Sequence, residues 1–473
     1  MSGPRLRSPG YASLVIGCAA VTGAMSIGLW AFPSEVKAII AEARLLTNDG
    51  LIMGGTVNPT PDQDYLNTVE SLYLTPYSSY TFEPLTTPEQ FCPIVCSASQ
   101  PDLTFGDSVN QGVTALNGAI LTDLTGGANN VSVLGYSQSA TVATVEMNDL
   151  INNNPGVNLG DLSFTLLGDP NSPIGGILDR FQFPDGVGQF SLSPEPQHVP
   201  FLDIPLSLAT TPTDPFATDI YTGEYDGWAD FPEDPSNIFA DINALIGIET
   251  VHPYYPDPTP GVNLDTTNMI DLGTIGNTTF YDIPAPLPTL AFMYDGGPAG
   301  QFFYDLFDPY ASLYDDWAYG NPGDPAYGID PSDGTPVDGS GIGDVGPWQV
   351  DATGQLMESG VAGFIPTMDP LEMLAGIQYD TVQEFVGPID ALLGDAGQSA
   401  IPTSVVDTLD EVSGYDLTNE LNSYVITGLD DLGNLVGQSD LADTIFSGDP
   451  LISGQPLIDL VGYGFDIFNF FGA

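Results

Sequence analysis

The chain has 473 residues, 62 Asp plus Glu against 5 Lys plus Arg, a formal charge of −57 and 42% apolar residues. That apolar fraction supports a folded core rather than a disordered acidic chain, and the length allows about two to three domains. With so few cations no basic stripe can neutralise phosphates, which excludes nucleic-acid and polybasic lipid binding and leaves neutral, cationic or apolar partners.

The first predicted element is a hydrophobic run. Arg5 and Arg7 precede an uncharged stretch from Ser8 to Pro33, longer than an ordinary signal core and close to a bilayer span. Residues 1–45 therefore read as a signal sequence or N-terminal membrane anchor. The arginines before the run place everything after Lys37 outside the cytoplasm, so an exported, cell-envelope protein is expected, either secreted or membrane-anchored. Of the three cysteines, Cys18 lies in this run, and Cys92 and Cys96 are left as a possible disulfide pair or two buried thiols. With His198 and His252 as the only histidines, a structural zinc site is not expected, nor is any other metal or cofactor.

From about residue 46 to 320 short apolar runs alternate with helical patterns. Leu51-Ile52-Met53 reads as a strand ending in the tight turn Gly54-Gly55-Thr56. Val109, Val113, Leu116 and Ile120 keep helical spacing, and Val131 to Leu134 forms the next strand. A helix from Ala140 to Leu150 is followed by the strand Phe164 to Leu167, which ends in Gly168-Asp169-Pro170. This succession predicts an α/β fold with a mostly parallel central sheet flanked by helices. Between Asn171 and Pro215 the chain is rich in Pro and Gly, which fits either a lid-like insertion or a packed surface loop. Another strand, Ala217 to Tyr221, leads into Glu224-Tyr225-Asp226-Gly227-Trp228-Ala229-Asp230-Phe231-Pro232.

Residues 321–350 read as a Gly/Pro/Asp-rich linker. Its acidic stretch Asp330 to Asp338 lacks the spacing of an ordered calcium loop. Residues 351–473 form an acidic, partly helical C-terminal region of unknown role. There Leu417, Leu421, Tyr424, Val425, Leu429, Leu432 and Val436 mark one helix face, read as core. The apolar stretch from Leu457 to Phe471 is expected to dock back onto the domain or to contact lipid.

Chemistry concentrates at Gly135-Tyr136-Ser137-Gln138-Ser139, where a strand becomes a helix. A serine hydroxyl becomes a nucleophile when it is exposed, paired with a base and faced by oxyanion donors, and a sharp strand-to-helix turn supplies the exposure. The following amide, that of Gln138, opens the helix and can donate to a developing oxyanion. The second donor is expected from the amide or hydroxyl of Thr56, beside glycines that allow close backbone approach. The base is His252, in the loop Val251-His252-Pro253-Tyr254, whereas His198 stands among prolines as a surface or lid residue. The acid should sit on a turn after a late strand and before His252. Asp230 is preferred because the turn around it would aim its carboxylate outward, with Asp226 as the alternative.

Met53-Gly54-Gly55-Thr56 with Asn58-Pro59-Thr60-Pro61, Gly135 to Ser139, Gly168-Asp169-Pro170-Asn171, Glu224 to Pro232 and Val251-His252 together resemble the PE-PPE C-terminal domain, a cutinase-like branch of the serine α/β-hydrolases. The resemblance covers roughly Leu51 to Gly320, in the family's order, and the family's usual pentapeptide is the G-x-S-x-S form. It implies an esterase or acyltransferase triad of Ser137, Asp230 and His252 that acts on acyl esters in a mycolate-type envelope. The helical PE or PPE module is absent from this sequence. The hydrophobic segment in its place is similar to that of membrane-anchored members that transfer acyl chains between acyltrehalose glycolipids. A noncatalytic envelope-binding protein on the same fold, or an acidic cation-binding surface protein, would show no dependence on Ser137.

Overall fold

The computed structural model describes residues 48–96, 102–153, 156–173, 175–180, 210–232, 237–294, 297–316 and 370–436, together with a few isolated strands of two or three residues. The leader, most of the lid-like insertion, most of the linker and the apolar C-terminal stretch lie outside the described residues.

The body is a seven-stranded sheet. In chain order its strands are β1 (Asn48–Ile52), β2 (Tyr80–Pro84), β3 (Val131–Tyr136), β4 (Leu162–Leu167), β5 (Ala217–Gly223), β6 (Ile270–Ile275) and β7 (Thr278–Ile283). Across the sheet they run β2-β1-β3-β4-β5-β7-β6. All pairs are parallel except the hairpin of β6 with β7. The intervening helices are α1 (Gln63–Tyr73), α2 (Phe105–Gly126), α3 (Gln138–Asn153) and α4 (Ile238–Thr250). This is the mostly parallel α/β sheet that the alternating pattern predicts.

Local chemistry sets the helix limits. Asp62 caps α1 by accepting from the Tyr65 amide, and Thr104 caps α2 by accepting from the Asp107 amide. Gly127, at φ 105°, ends α2 in the left-handed conformation. Every residue of β3 and β4 is buried, as expected for strands with both faces covered. Alternation divides β3 between two cores. Val131 and Val133 join Val109, Leu116, Met147 and Phe164, whereas Leu134 and Tyr136 join Leu66, Tyr73 and Tyr255 on the opposite face.

Register then brings the strand ends level. Ile52 pairs with Leu134, Tyr136 with Leu167, and Leu167 with Tyr221. The segments that follow β1, β3, β4 and β5 therefore emerge at one carboxyl edge, where open α/β sheets place their ligands.

Beyond the sheet, α5 (Gly297–Asp316) packs along α6 (Pro370–Asp395), which also carries α7 (Thr403–Ser413) and α8 (Tyr415–Val436). Tyr310 and Thr381 share a hydroxyl hydrogen bond of 2.6 Å across the α5–α6 contact. The apolar face of α8 departs from its reading as core, since Leu417, Leu421, Tyr424 and Leu432 are exposed. Helical spacing reports a one-sided helix, not what covers that side. Among the described residues no helix is long and apolar enough to cross a membrane.

Candidate active site

Ser137 occupies the turn between β3 and α3 at φ 58°, a left-handed conformation that a non-glycine residue adopts only when its surroundings impose it. Its amide donates to the Leu167 carbonyl at 3.0 Å, and its carbonyl accepts from the Ala140 amide at 2.9 Å, so both sides of the turn are held. Ser139 Oγ accepts from the Tyr136 amide and donates to the Tyr136 carbonyl. Gly135 has no room for a side chain, because a Cβ would stand 2.6 Å from the Ser139 carbonyl oxygen. The small residues on either side of Tyr136-Ser137-Gln138 are thus needed for packing, and Ser137 alone among the five is partly exposed.

His252 lies in the single 3-10 turn His252–Tyr254 that follows α4. Its ring is set from three sides. Tyr136 stacks on it at 5.4 Å between centroids and donates its hydroxyl to the His252 carbonyl at 2.6 Å. Trp228 and Tyr255 approach at 6.4 and 6.0 Å. Gly168 passes beneath it at φ +53°, where a Cβ would come within 2.8 Å of the Tyr255 ring and 3.1 Å of His252 Cε1. Gly168→Ala should therefore combine backbone strain of about 1–3 kcal/mol with displacement of the imidazole. The expected outcome is a lower melting temperature together with a reduced kcat, measured by thermal unfolding and steady-state kinetics.

The structure brings Ser137 and His252 together, with Ser137 Oγ 2.7 Å from His252 Nε2. On the other side of the ring, Nδ1 is 2.7 Å from Asp226 Oδ2. This corrects the preference for Asp230. Asp226 is wholly buried, takes the Tyr255 hydroxyl on the same Oδ2 at 2.9 Å and receives the Trp228 amide on Oδ1 at 3.0 Å. Asp230 turns inward instead and accepts the Tyr225 amide at 2.9 Å. The physical reason is the turn itself. Tyr225 at φ 63° reverses the chain immediately after β5, so Asp226 faces the strand ends, and the Asp230 amide folds back onto the Asp226 carbonyl at 2.6 Å. Asp230 is one turn too late to face the imidazole.

Tyr255 was not singled out by sequence reasoning. Its hydroxyl accepts from the Gly223 amide at 2.6 Å and donates to Asp226, so it ties the carboxylate to the end of β5. The tyrosine three residues after His252, at helical spacing, was the available signal.

Around the expected oxyanion position, Gly55 lies against Tyr136 and Ser137, since a Cβ there would be 2.9 Å from the Tyr136 ring and 3.2 Å from Ser137 Cβ. Gln138 begins α3, where its amide has no helical carbonyl partner. Its buried side chain has a separate task. Nε2 donates to the Gln90 carbonyl at 2.9 Å and reaches Thr56 Oγ1 at 3.4 Å, while Oε1 accepts from Ser108 Oγ at 2.7 Å. Thr56 Oγ1 thus accepts from Gln138, which leaves the threonine proton to point elsewhere.

Gly168-Asp169-Pro170-Asn171 anchors the start and return of the insertion. Asp169 is buried, and that burial pushes its carboxyl up to about 6. Its Oδ1 accepts the Asn171 amide and its Oδ2 the Thr211 hydroxyl. Cys92 and Cys96 are disulfide-bonded, with Cα atoms 5.0 Å apart. His198 lies in a two-residue ladder with Ile204–Pro205, which is separate from the seven-stranded sheet.

The PE-PPE domain profile matches residues 78–319, just over half of the chain. The chain belongs to the PE-PPE domain family. Among curated relatives, it is 44% identical to "Esterase PE16" of Mycobacterium tuberculosis over 213 residues, which is 44% of this chain and 37% of that protein. It is 28% identical over 174 residues to "Diacyltrehalose acyltransferase Chp2" of the same organism, 36% of this chain and 45% of that one. The chain therefore spans less than half the length of these two relatives. A cutinase-like protein from Cryptococcus sp. aligns in structure at 19% identity and a TM-score of 0.20, over 28% of this chain and 61% of the other. The PE-PPE match carries the membership, and the strand order carries the α/β-hydrolase-like architecture.

Proposed function

We propose that this PE-PPE domain is a serine esterase that forms an acyl-enzyme on Ser137 and passes the acyl group to water or to a sugar hydroxyl. The observation that carries the reading is the continuous line Ser137–His252–Asp226, with both hydrogen bonds at 2.7 Å. An acceptor carboxylate on Nδ1 places the ring proton there and leaves Nε2 as the acceptor of the serine proton. In the first step Ser137 Oγ attacks the ester carbonyl while Nε2 takes its proton. The Gln138 amide and Thr56 hold the oxyanion, and the imidazolium then protonates the departing alcohol. In the second step the incoming hydroxyl gives its proton to Nε2 and displaces the Ser137 oxygen, which takes that proton back from the imidazolium.

The names of two relatives, an esterase and an acyltransferase, support these alternative acceptors. Neutral acyl esters, lipid or glycolipid, suit the surface. Among residues 48–473 Arg180 is the only lysine or arginine, so an anionic substrate would find little counter-charge. The hydrophobic run before Lys37 supports export, with the domain in the cell envelope, secreted or held at the membrane.

The test is covalent. A fluorophosphonate incubated with the protein should label Ser137 and nothing else, as read by peptide mass spectrometry, and the label should block hydrolysis of nitrophenyl acyl esters. Hydrolysis that persists in fully labelled protein would overturn the assignment. Supplying an acylated trehalose together with a free sugar acceptor and following the lipid products then separates transfer from hydrolysis.

A further inference from the structure

Behind the two oxyanion donors runs a short segment, residues 87–90, for which the mechanism gives no task. It meets the loop that follows Thr56 at two points and the Gln138 side chain of α3 at a third. The Thr87 amide donates to the Pro59 carbonyl at 3.0 Å, and the Glu89 carbonyl accepts the Val57 amide at 2.9 Å. The Gln90 carbonyl accepts Gln138 Nε2 at 2.9 Å. The same segment is tied outward, since the Gln90 amide donates to Ser108 Oγ at 3.0 Å and Gln90 Oε1 accepts the Leu103 amide at 3.2 Å. One strap therefore holds both the loop of Thr56 and the residue after the nucleophile.

The strap is locked by unusual backbone. Glu89 is at φ 48° and its partner Val57 at φ 70°, and a β-branched residue in that region is a genuine outlier. Strain of this kind persists only where the surroundings over-determine it. The Glu89 side chain is buried at 2% exposure. Its Oε1 accepts the Thr87 hydroxyl at 2.7 Å, and Oε2 has no hydrogen-bond partner among the described residues.

We propose that Glu89 is a positioning residue that, through the strap 87–90, fixes the separation of the Thr56 and Gln138 oxyanion donors, and that it does so as a neutral carboxylic acid. The inference rests on the serine-esterase reading and adds a control on the same site. A buried oxygen with no donor facing it is tolerable on a neutral carboxyl and costly on a carboxylate. In agreement, burial pushes the Glu89 carboxyl up to about 8, against the lowering effect of the Thr87 hydrogen bond. The groups facing it do not compensate a charge. Tyr65 from α1 is itself raised by burial and then by Glu89, and so stays neutral. The loop 54–58 and the first turn of α3 contain no Asp, Glu, His, Lys or Arg. Ionisation of Glu89 should therefore loosen the strap, and a displacement of an oxyanion donor by a fraction of an ångström is felt in the transition state.

The measurement is the pH dependence of kcat and KM for a nitrophenyl acyl ester from pH 6 to 9.5. Wild-type kcat should fall as pH rises through about 8, with KM changing by less than about twofold. Glu89→Gln, which keeps the shape and cannot ionise, should remain flat across that range. Glu89→Gly, which accepts the positive φ without strain, should lower kcat about tenfold or more at every pH with little change in KM. An unchanged alkaline limb in Glu89→Gln would overturn the proposal, as would full kcat in Glu89→Gly. If Glu89→Gly does not fold, the Glu89→Gln profile still decides. Fluorophosphonate labelling of Ser137 is run beside each variant. A labelled Ser137 with no response to Glu89 sinks this inference alone, whereas no Ser137-dependent turnover in the wild type sinks the esterase reading together with it.

Discussion

Ser137→Ala should lower kcat for nitrophenyl ester hydrolysis by about 10⁶-fold and Asp226→Asn by about 10⁴-fold, with little change in KM in either case. Asp230→Asn, four residues away, should leave kcat per folded molecule within about tenfold. The contrast follows from which atoms each carboxylate meets. Asp226 Oδ2 faces His252 Nδ1 at 2.7 Å, and an amide there would either present N–H to N–H or force the tautomer that puts the proton on Nε2. In that state Nε2 cannot accept from Ser137 Oγ. Asp230 Oδ2 instead takes the Tyr225 amide of its own turn at 2.9 Å. Its replacement by Asn keeps an acceptor oxygen and should appear as a loss of stability of about 1–3 kcal/mol. Chemical denaturation of all three variants separates the two effects. A strong kcat loss in Asp230→Asn with an active Asp226→Asn would reverse the assignment made from the geometry.

The same pair shows where a sequence stops being legible. Gly135, Ser137 and Ser139 can be read from their spacing because a strand-to-helix turn leaves room for little else, and the scarcity of histidine narrows the base to His252 or His198. The alternation of β1, α2, β3, α3 and β4 is equally plain, since strands buried on both faces read as short apolar runs. The acid is different. Asp226 and Asp230 share one turn, and the choice between them depends on Tyr225 at φ 63° and on a hydroxyl from Tyr255, 29 positions from Asp226. Neither separates the two aspartates by their spacing in the sequence. The hairpin of β6 and β7 was missed because Asp271, Gly273, Asp282 and the threonines interrupt its apolar pattern. The exposed face of α8 misled in the opposite direction, because periodicity records amphipathicity whether or not a neighbour arrives.

The melting temperature should fall by on the order of 10 °C between pH 5 and pH 9, and the fall should persist in 1 M NaCl. Most proteins lose buried-carboxylate stability on acidification, and the opposite sign here comes from burial without a lysine or arginine partner among the described residues. Burial raises Glu89, Asp315 and Asp380 to about 8, Glu146 to about 7, and Asp169 and Asp219 to about 6. Their ordinary values are 4.5 for Glu and 3.8 for Asp. With Arg180 as the sole lysine or arginine among residues 48–473, arginine or lysine pairing cannot offset this desolvation. A carboxyl whose folded pKa lies above its unfolded one binds its proton more tightly in the fold. The stabilisation is fully present below about pH 4 and is lost as pH rises through 6 to 8. Repulsion within a chain of formal charge −57 acts in the same direction, but at 1 M salt the screening length is about 3 Å and that contribution is largely removed. Asp380→Asn, on α6 with an unpartnered buried Oδ2, should flatten the upper part of the profile. A melting temperature that rises from pH 5 to pH 9, or a fall abolished by salt, would show that buried carboxyls do not set the pH dependence of this fold.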